Sequence, residues 1–162
     1  MQTGYPIDVL LETEPFTQGK EAFNFCKLLT GSGGTLAFTT EITLNLIPAP
    51  PKHKAVVAVH LNTINEAAHA NLIGLKYNPG AIELMDDIIL QCTKSSAEHL
   101  KNRFFVQGDP GALLIVEFAR DTREEIDAIL PQMEAEMRAS GYGYYFPVLY
   151  GADISKVWAL RK

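Results

Sequence analysis

The first residues whose types could do chemistry are Gly31-Ser32-Gly33-Gly34-Thr35. Three glycines in four positions let backbone N–H groups approach a ligand closely or adopt positive φ, and such backbone concavities favour anions. The plainer reading of the same stretch is a flexible hairpin or bulge. It is not a phosphate loop, because no Lys-Ser/Thr follows. Nor is it a dinucleotide fingerprint, because no predicted strand precedes it and a strand, not a helix, follows. Arg161 is the second candidate. Ile154, Trp158 and Arg161 stand at i, i+4 and i+7, so a helix sets the guanidinium beside an indole. A planar guanidinium can pair bidentately with a carboxylate; the alternative is a solvated arginine stacked on Trp158.

Other polar residues read as structural. Glu83 and Asp86 are acids at a helix entrance, where a carboxylate caps or complements the dipole. His53, His60, His69 and His99 are scattered without partners at ligand spacing, so surface or satisfied histidines are expected and no metal ligand is assigned. Cys26 and Cys92 are far apart, offer no disulfide framework, and are expected to be buried thiols. Tyr144-Tyr145-Phe146 is expected in a core or interface strand. No residue is assigned a catalytic role.

The elements that must position these groups follow from periodicity. In residues 36–46 Leu36, Phe38, Ile42, Leu44 and Leu46 alternate with Thr39, Glu41, Thr43 and Asn45, the period of a half-buried strand. Pro48, Pro50 and Pro51 end it and read as a stiff linker, which places a boundary between residues 1–50 and 51–162. Residues 55–61 are a short apolar run rich in Val, as in a strand buried on both faces. Thr63 and Glu66 form a capping box for a helix carrying Ala68, Leu72 and Leu75, and Asn78-Pro79-Gly80 stops it.

Residues 81–85 are predicted as a strand, and residues 86–103 as helix with a new cap at Ser95 and Glu98. Residues 112–119 form the next buried strand. Asp121 and Glu124 open a helix through Ile126, Leu130, Met133 and Met137 that Pro131 should kink and Gly141 should end. Residues 144–150 are predicted as an edge strand because of Pro147, and Asp153 as the cap of a terminal helix. The order β-α-β-(α)-β-α-β is that of an α+β, ferredoxin-like antiparallel sheet with helices on one face.

Composition narrows the function classes. The chain has 162 residues, 47% of them hydrophobic, with 14 basic against 19 acidic side chains and a net charge of −5. That balance is globular and lacks the basic stripe that phosphate-backbone binding requires, so nucleic acid is not an expected partner. No apolar stretch is long enough to span a bilayer and no secretory leader is evident, so a reducing, cytoplasmic setting is expected.

Read as a whole, the string Gly31 to Glu41 and what surrounds it resembles the junction in FAD-linked oxidases of the glycolate oxidase, D-lactate dehydrogenase and D-2-hydroxyglutarate dehydrogenase group. That family carries Gly-Ser-Glu-Gly-Thr-Leu-Gly-(Ile/Val)-(Ile/Val)-Thr-Glu at the end of its flavin domain, then a strand and a proline-rich step into the cap domain. Here the string stands as Gly31-Ser32-Gly33-Gly34-Thr35-Leu36-Ala37-Phe38-Thr39-Thr40-Glu41. The likeness continues in Glu83-Leu84-Met85-Asp86, in Leu114-Ile115-Val116-Glu117 and in Val157-Trp158-Ala159-Leu160-Arg161-Lys162. Gly33 stands where the family has Glu and Ala37 where it has Gly, which removes any carboxylate role at the first position.

The resemblance implies a flavin-dependent enzyme oxidising a D-2-hydroxy acid such as D-lactate or glycolate. It implies FAD-facing positions at Gly31, Ser32, Gly34, Thr35 and Thr39, and a substrate carboxylate held by Arg161. It also implies a longer intact protein, with the pyrophosphate loop before this chain and a catalytic His and His-x-His segment after it. The isolated chain is therefore expected to lack turnover and tight FAD, and residues 1–50 to fold back, await further polypeptide or associate with a second copy. The competing expectation is a stand-alone ferredoxin-like module that binds a ligand or regulates a partner.

Overall fold

A computed structural model describes residues 4–161; residues 1–3 and Lys162, the last of the Trp158 string, lie outside them. The chain divides into two compact units, Met1–Pro48 and Ala49–Lys162. The first contains the short helices α1 (Ile7–Leu11) and α2 (Cys26–Leu29). Among its described residues Pro6 and Leu10 are the buried apolar side chains, and buried Thr13 donates through Oγ1 to the Leu10 carbonyl at 2.7 Å. Phe16, Phe23 and Phe25 pack edge-to-face and stacked but stay about half exposed.

Residues 36–46 are not a strand. They are irregular chain with bends at Leu36 and Thr40, and Phe38 and Leu46 are more than nine-tenths exposed. The alternation is present, but a strand is completed by a ladder partner, and no segment among the described residues pairs with it.

The second unit is built on four antiparallel strands, β1 (His53–Leu61), β2 (Ala81–Asp86), β3 (Ala112–Arg120) and β4 (Val148–Tyr150), in the order β2-β3-β1-β4. Val57 sits opposite Val116 in the central pair. Helices α3 (Ile64–Leu75) and α6 (Arg123–Ala139) supply Ala70, Ile73, Ile126 and Met133 to a core with Val57, Val59, Leu114 and Phe118. The opposite sheet face, with Val56, Ala58, Leu113 and Ile115, is covered by Leu90 of α4 (Asp87–Lys94), by Phe105, and by Val157 of α7 (Ala152–Ala159) and Leu160 after it. Helices therefore cover both faces, not one as the element order predicted. The reason is in β1 and β3, whose apolar residues occupy both parities and need cover on both sides.

Four of the seven α-helices begin on a side-chain cap. Thr63 accepts from the Glu66 amide, and Asp86 from the Ile89 amide at 2.8 Å, as expected. The caps of α5 (Ala97–Leu100) and α6 are Ser96 and Thr122, one residue later than predicted. Gly151, without a capping side chain, stands before α7 in place of Asp153. Helix α6 runs through Pro131 and closes on Gly141 at φ 80°, with Tyr142 N–H returning to the Met137 carbonyl. Strand β4 keeps three of the seven predicted residues. Pro147 has no N–H to give, offers only its carbonyl to Ala58 N–H, and leaves Tyr145 as a single bridge to His60. Among the described residues no helix is long and apolar enough to cross a membrane.

Candidate functional site

The glycine-rich loop continues from the end of α2. Gly31 and Ser32 amides return to the Leu28 and Leu29 carbonyls, and a Cβ on Gly31 would lie 2.1 Å from the Gly4 carbonyl oxygen, so only glycine fits there. Ser32, nearly buried, donates its hydroxyl to the Leu29 carbonyl at 2.8 Å, and Thr35 donates to the Ser32 carbonyl at 2.7 Å. With the Thr35 proton so placed, Tyr5 is the donor in the 2.6 Å contact between its hydroxyl and Thr35 Oγ1. What Ser32 and Thr35 have left for a ligand is acceptor capacity.

Gly33 and Gly34 turn with φ of 60° and 80°, nothing lies within 4 Å of where a Cβ would sit, and among the described residues their amides make no hydrogen bond. Two open donors on side-chain-free backbone fit the polar edge of a flavin. Thr39 lies beyond this turn, exposed in the irregular segment that follows.

The second unit brings together residues from three distant strings. Glu83 of β2 and Glu117 of β3 project from one sheet face, because Glu83 pairs across from Ile115 and Glu117 is two residues further along. Helix α7 lies over that face. Arg161 donates from Nη1 to both Glu83 oxygens at 2.6 and 2.7 Å, and its guanidinium carbon is 5.3 Å from the Trp158 ring centre. The Trp158 indole donates to Glu117 Oε2 at 3.1 Å, and Lys54 of β1 holds Oε1 at 2.8 Å. Glu117 is mostly buried and Arg161 half exposed. A cation is thus held on one side by a carboxylate and faced by an indole. Among the described residues its Nε and Nη2 make no hydrogen bond.

Sequence reasoning missed Glu83 here. It is a strand residue paired with Arg161, not a helix-entrance acid; that role belongs to Asp86 alone. The available signal was parity: Glu83 and Met85 share a face, and Met85 is buried under α4. Lys54 and the partnering of Glu117 were also missed. Cys26 and Cys92 are exposed rather than buried, Cys92 lying on the outward side of α4 while Leu90 and Thr93 turn inward.

His60 is fully buried on β1 and satisfied. Its Nδ1 donates to the Ala58 carbonyl at 2.9 Å and Nε2 accepts from the Gln107 amide at 3.1 Å. Burial pushes its pKa below 6.5, opposed by its hydrogen bonds to backbone. Phe146 is buried in the core, whereas Tyr144 and Tyr145 set their edges against the His60 ring.

Comparison with known proteins gives the same direction. The D-2-hydroxyglutarate dehydrogenase of Haemophilus influenzae is 29% identical over 116 residues, 69% of this chain and 11% of that protein. The glycolate oxidase subunit GlcD of Escherichia coli K12 is 32% identical over 91 residues, 52% of this chain and 18% of that subunit. The D-2-hydroxyglutarate dehydrogenase of Pseudomonas putida is 25% identical over an alignment of 170 positions that takes in 99% of this chain and 16% of that protein. The chain thus spans under a fifth of the length of these relatives. Residues 50–162 match the family described as FAD linked oxidases, C-terminal domain, and the chain belongs to that family.

Proposed function

We propose that this chain is part of a flavin-dependent dehydrogenase or oxidase of D-2-hydroxy acids, such as D-lactate or glycolate. Residues 1–50 are then the end of the flavin domain with its proline-rich step, and residues 51–162 most of the cap domain. The observation that carries this reading is the convergence of Glu83, Glu117, Trp158 and Arg161 on one sheet face. A guanidinium held in place before the ligand arrives is a pre-ordered receptor for a carboxylate. The strand order, with α3 joining β1 to β2 and α6 joining β3 to β4, supports a ferredoxin-like arrangement. The alignment across 99% of the chain supports including residues 1–50.

Bound FAD supplies the acceptor for the hydride leaving the substrate α-carbon. Gly31, Ser32, Gly34, Thr35 and Thr39 face it, with the Gly33 and Gly34 amides as donors and the Ser32 and Thr35 oxygens as acceptors. Arg161 takes the substrate carboxylate on its Nε and Nη2 edge while Glu83 keeps Nη1, and Trp158 limits water over one guanidinium face. The base for the hydroxyl proton belongs to polypeptide beyond these residues, so the chain alone turns over nothing and holds FAD weakly.

The test is expression of the whole reading frame containing this chain, assayed with D-lactate, glycolate and D-2-hydroxyglutarate against an artificial electron acceptor. A yellow protein that oxidises at least one of them is expected. Colourless protein inert toward all three would overturn the reading.

A further inference from the structure

We propose that a cavity at one end of the sheet, in front of Trp158 and apart from Arg161, binds an aromatic carboxylate. It is an open cleft of about 580 Å³ where β1 begins, β3 and β4 end, and α6 and α7 start. Small-molecule sites run to roughly 300–1,000 Å³, so one substituted ring fits. Arg161 is not among its walls, and the proposal does not depend on the role given to that arginine.

Its charge runs against that of the molecule. Lys52, Lys54 and Arg123 line it in a chain whose net charge is −5. The one carboxylate in the lining is Glu117, and its two oxygens are already taken by Lys54 Nζ and Trp158 Nε1. Arg123 lies over the Tyr150 ring at 4.1 Å and pairs with Asp127 at 3.5 Å. Crediting both acids in full still leaves Lys52, which has no ion pair among the described residues, as a surplus cation on the rim. With Lys54 and Arg123 each paired to an acid, the surplus of one positive charge on Lys52 calls for a singly charged anion.

The rest of the lining selects the body of that anion. Ile154 and the rings of Trp158 and Tyr150, each partly exposed, form the apolar part of its wall. Inorganic phosphate would satisfy the rim and gain nothing from these apolar surfaces. A planar ring covers them and leaves its carboxylate at Lys52 and Arg123.

Benzoate is the probe, and Trp158, the one tryptophan of the chain, is the reporter. Titrating the full chain should give saturable quenching of Trp158 emission. Acetate, which lacks the ring, and benzyl alcohol, which lacks the charge, should each bind at least about tenfold more weakly. Lys52→Ala combined with Arg123→Ala should weaken benzoate by about tenfold or more, and binding should persist in Arg161→Ala. Lys52→Glu alone serves if the double variant does not fold, and wild-type affinity in it overturns the proposal. So does quenching that never saturates or that sodium chloride reproduces. Acetate binding as tightly as benzoate overturns the ligand class. Loss in Arg161→Ala with the Lys52 and Arg123 variants unaffected assigns the anion to Arg161 instead.

Discussion

Trp158 is tied to Glu117 by a single hydrogen bond, indole Nε1 to carboxylate Oε2 at 3.1 Å, which fastens α7 to β3 across the sheet face. The same carboxylate holds Lys54, so three elements meet on one mostly buried side chain. Glu117→Ala leaves the indole donor and the ammonium without their acceptor and should cost about 1–3 kcal/mol. Glu117→Gln keeps one acceptor and should cost less. Urea unfolding followed by Trp158 emission measures both, and an alanine variant as stable as wild type would contradict the fastening role.

Arg161 and Glu83 are both substantially exposed, so their pair contributes little to folding, about 0–1 kcal/mol. Arg161→Lys should therefore leave the unfolding midpoint nearly unchanged. Under the proposed function, the same substitution in the intact, flavin-loaded protein removes the planar fork and should raise KM by roughly ten- to a hundredfold, with a smaller change in kcat. Unchanged KM would remove Arg161 from the carboxylate site.

His60 gives the fold an acid limit. Its folded-state pKa lies below 6.5, so the unfolded chain takes up the proton first as pH falls. The stability contributed by neutral His60 is complete above pH 6.5 and is lost as pH drops through the folded-state value. A proton on Nε2 would also confront the Gln107 N–H that this nitrogen now accepts. Denaturant midpoints should decline below pH 6.5 in wild type, and that decline should be smaller in His60→Gln.

Gly143 carries a conformational demand that no other residue meets. Its φ is 79°, and a Cβ would fall 2.4 Å from Phe146 Cζ and 2.9 Å from Val59 Cγ1, both in the core. Gly143→Ala combines left-handed strain with overpacking and should cost about 2–5 kcal/mol. A thermal melt within error of wild type would show that Phe146 can give way.

The segment 36–46 makes a separate prediction. Replacing Phe38, Leu44 and Leu46 with Ser removes exposed apolar surface and should change stability by no more than about 0.5 kcal/mol. If this segment drives association with a second copy, sedimentation should show less of it in the variant. Equal sedimentation of wild type and variant would remove that role.

The β1, β3 and α6 patterns were legible because their periods are long and their apolar residues many. Both parities of β1 were apolar, which already called for two covering layers; element order alone suggested one. Residues 36–46 carried a strand's alternation without a strand's partner, and a ladder is a property of two segments, which one segment cannot reveal. Arg161 beside Trp158 was expected from helical spacing, and the two do meet, but α7 ends at Ala159 and Arg161 stands in the turn after it. Glu83 as its partner was not expected, since residues 78 positions apart meet only through the β2–β3 register. The Ser32 and Thr35 hydroxyls were legible as polar, but where their protons go depends on turn geometry that composition does not encode.

Layers above and below leave the sheet free to widen only sideways. On one flank β2 offers six residues of backbone, on the other β4 offers three, interrupted just before by a proline. A further strand arriving from elsewhere would find its longer berth along β2, next to the carboxylate that grips Arg161. Lateral extension of the scaffold and the setting of that arginine would then be mechanically linked.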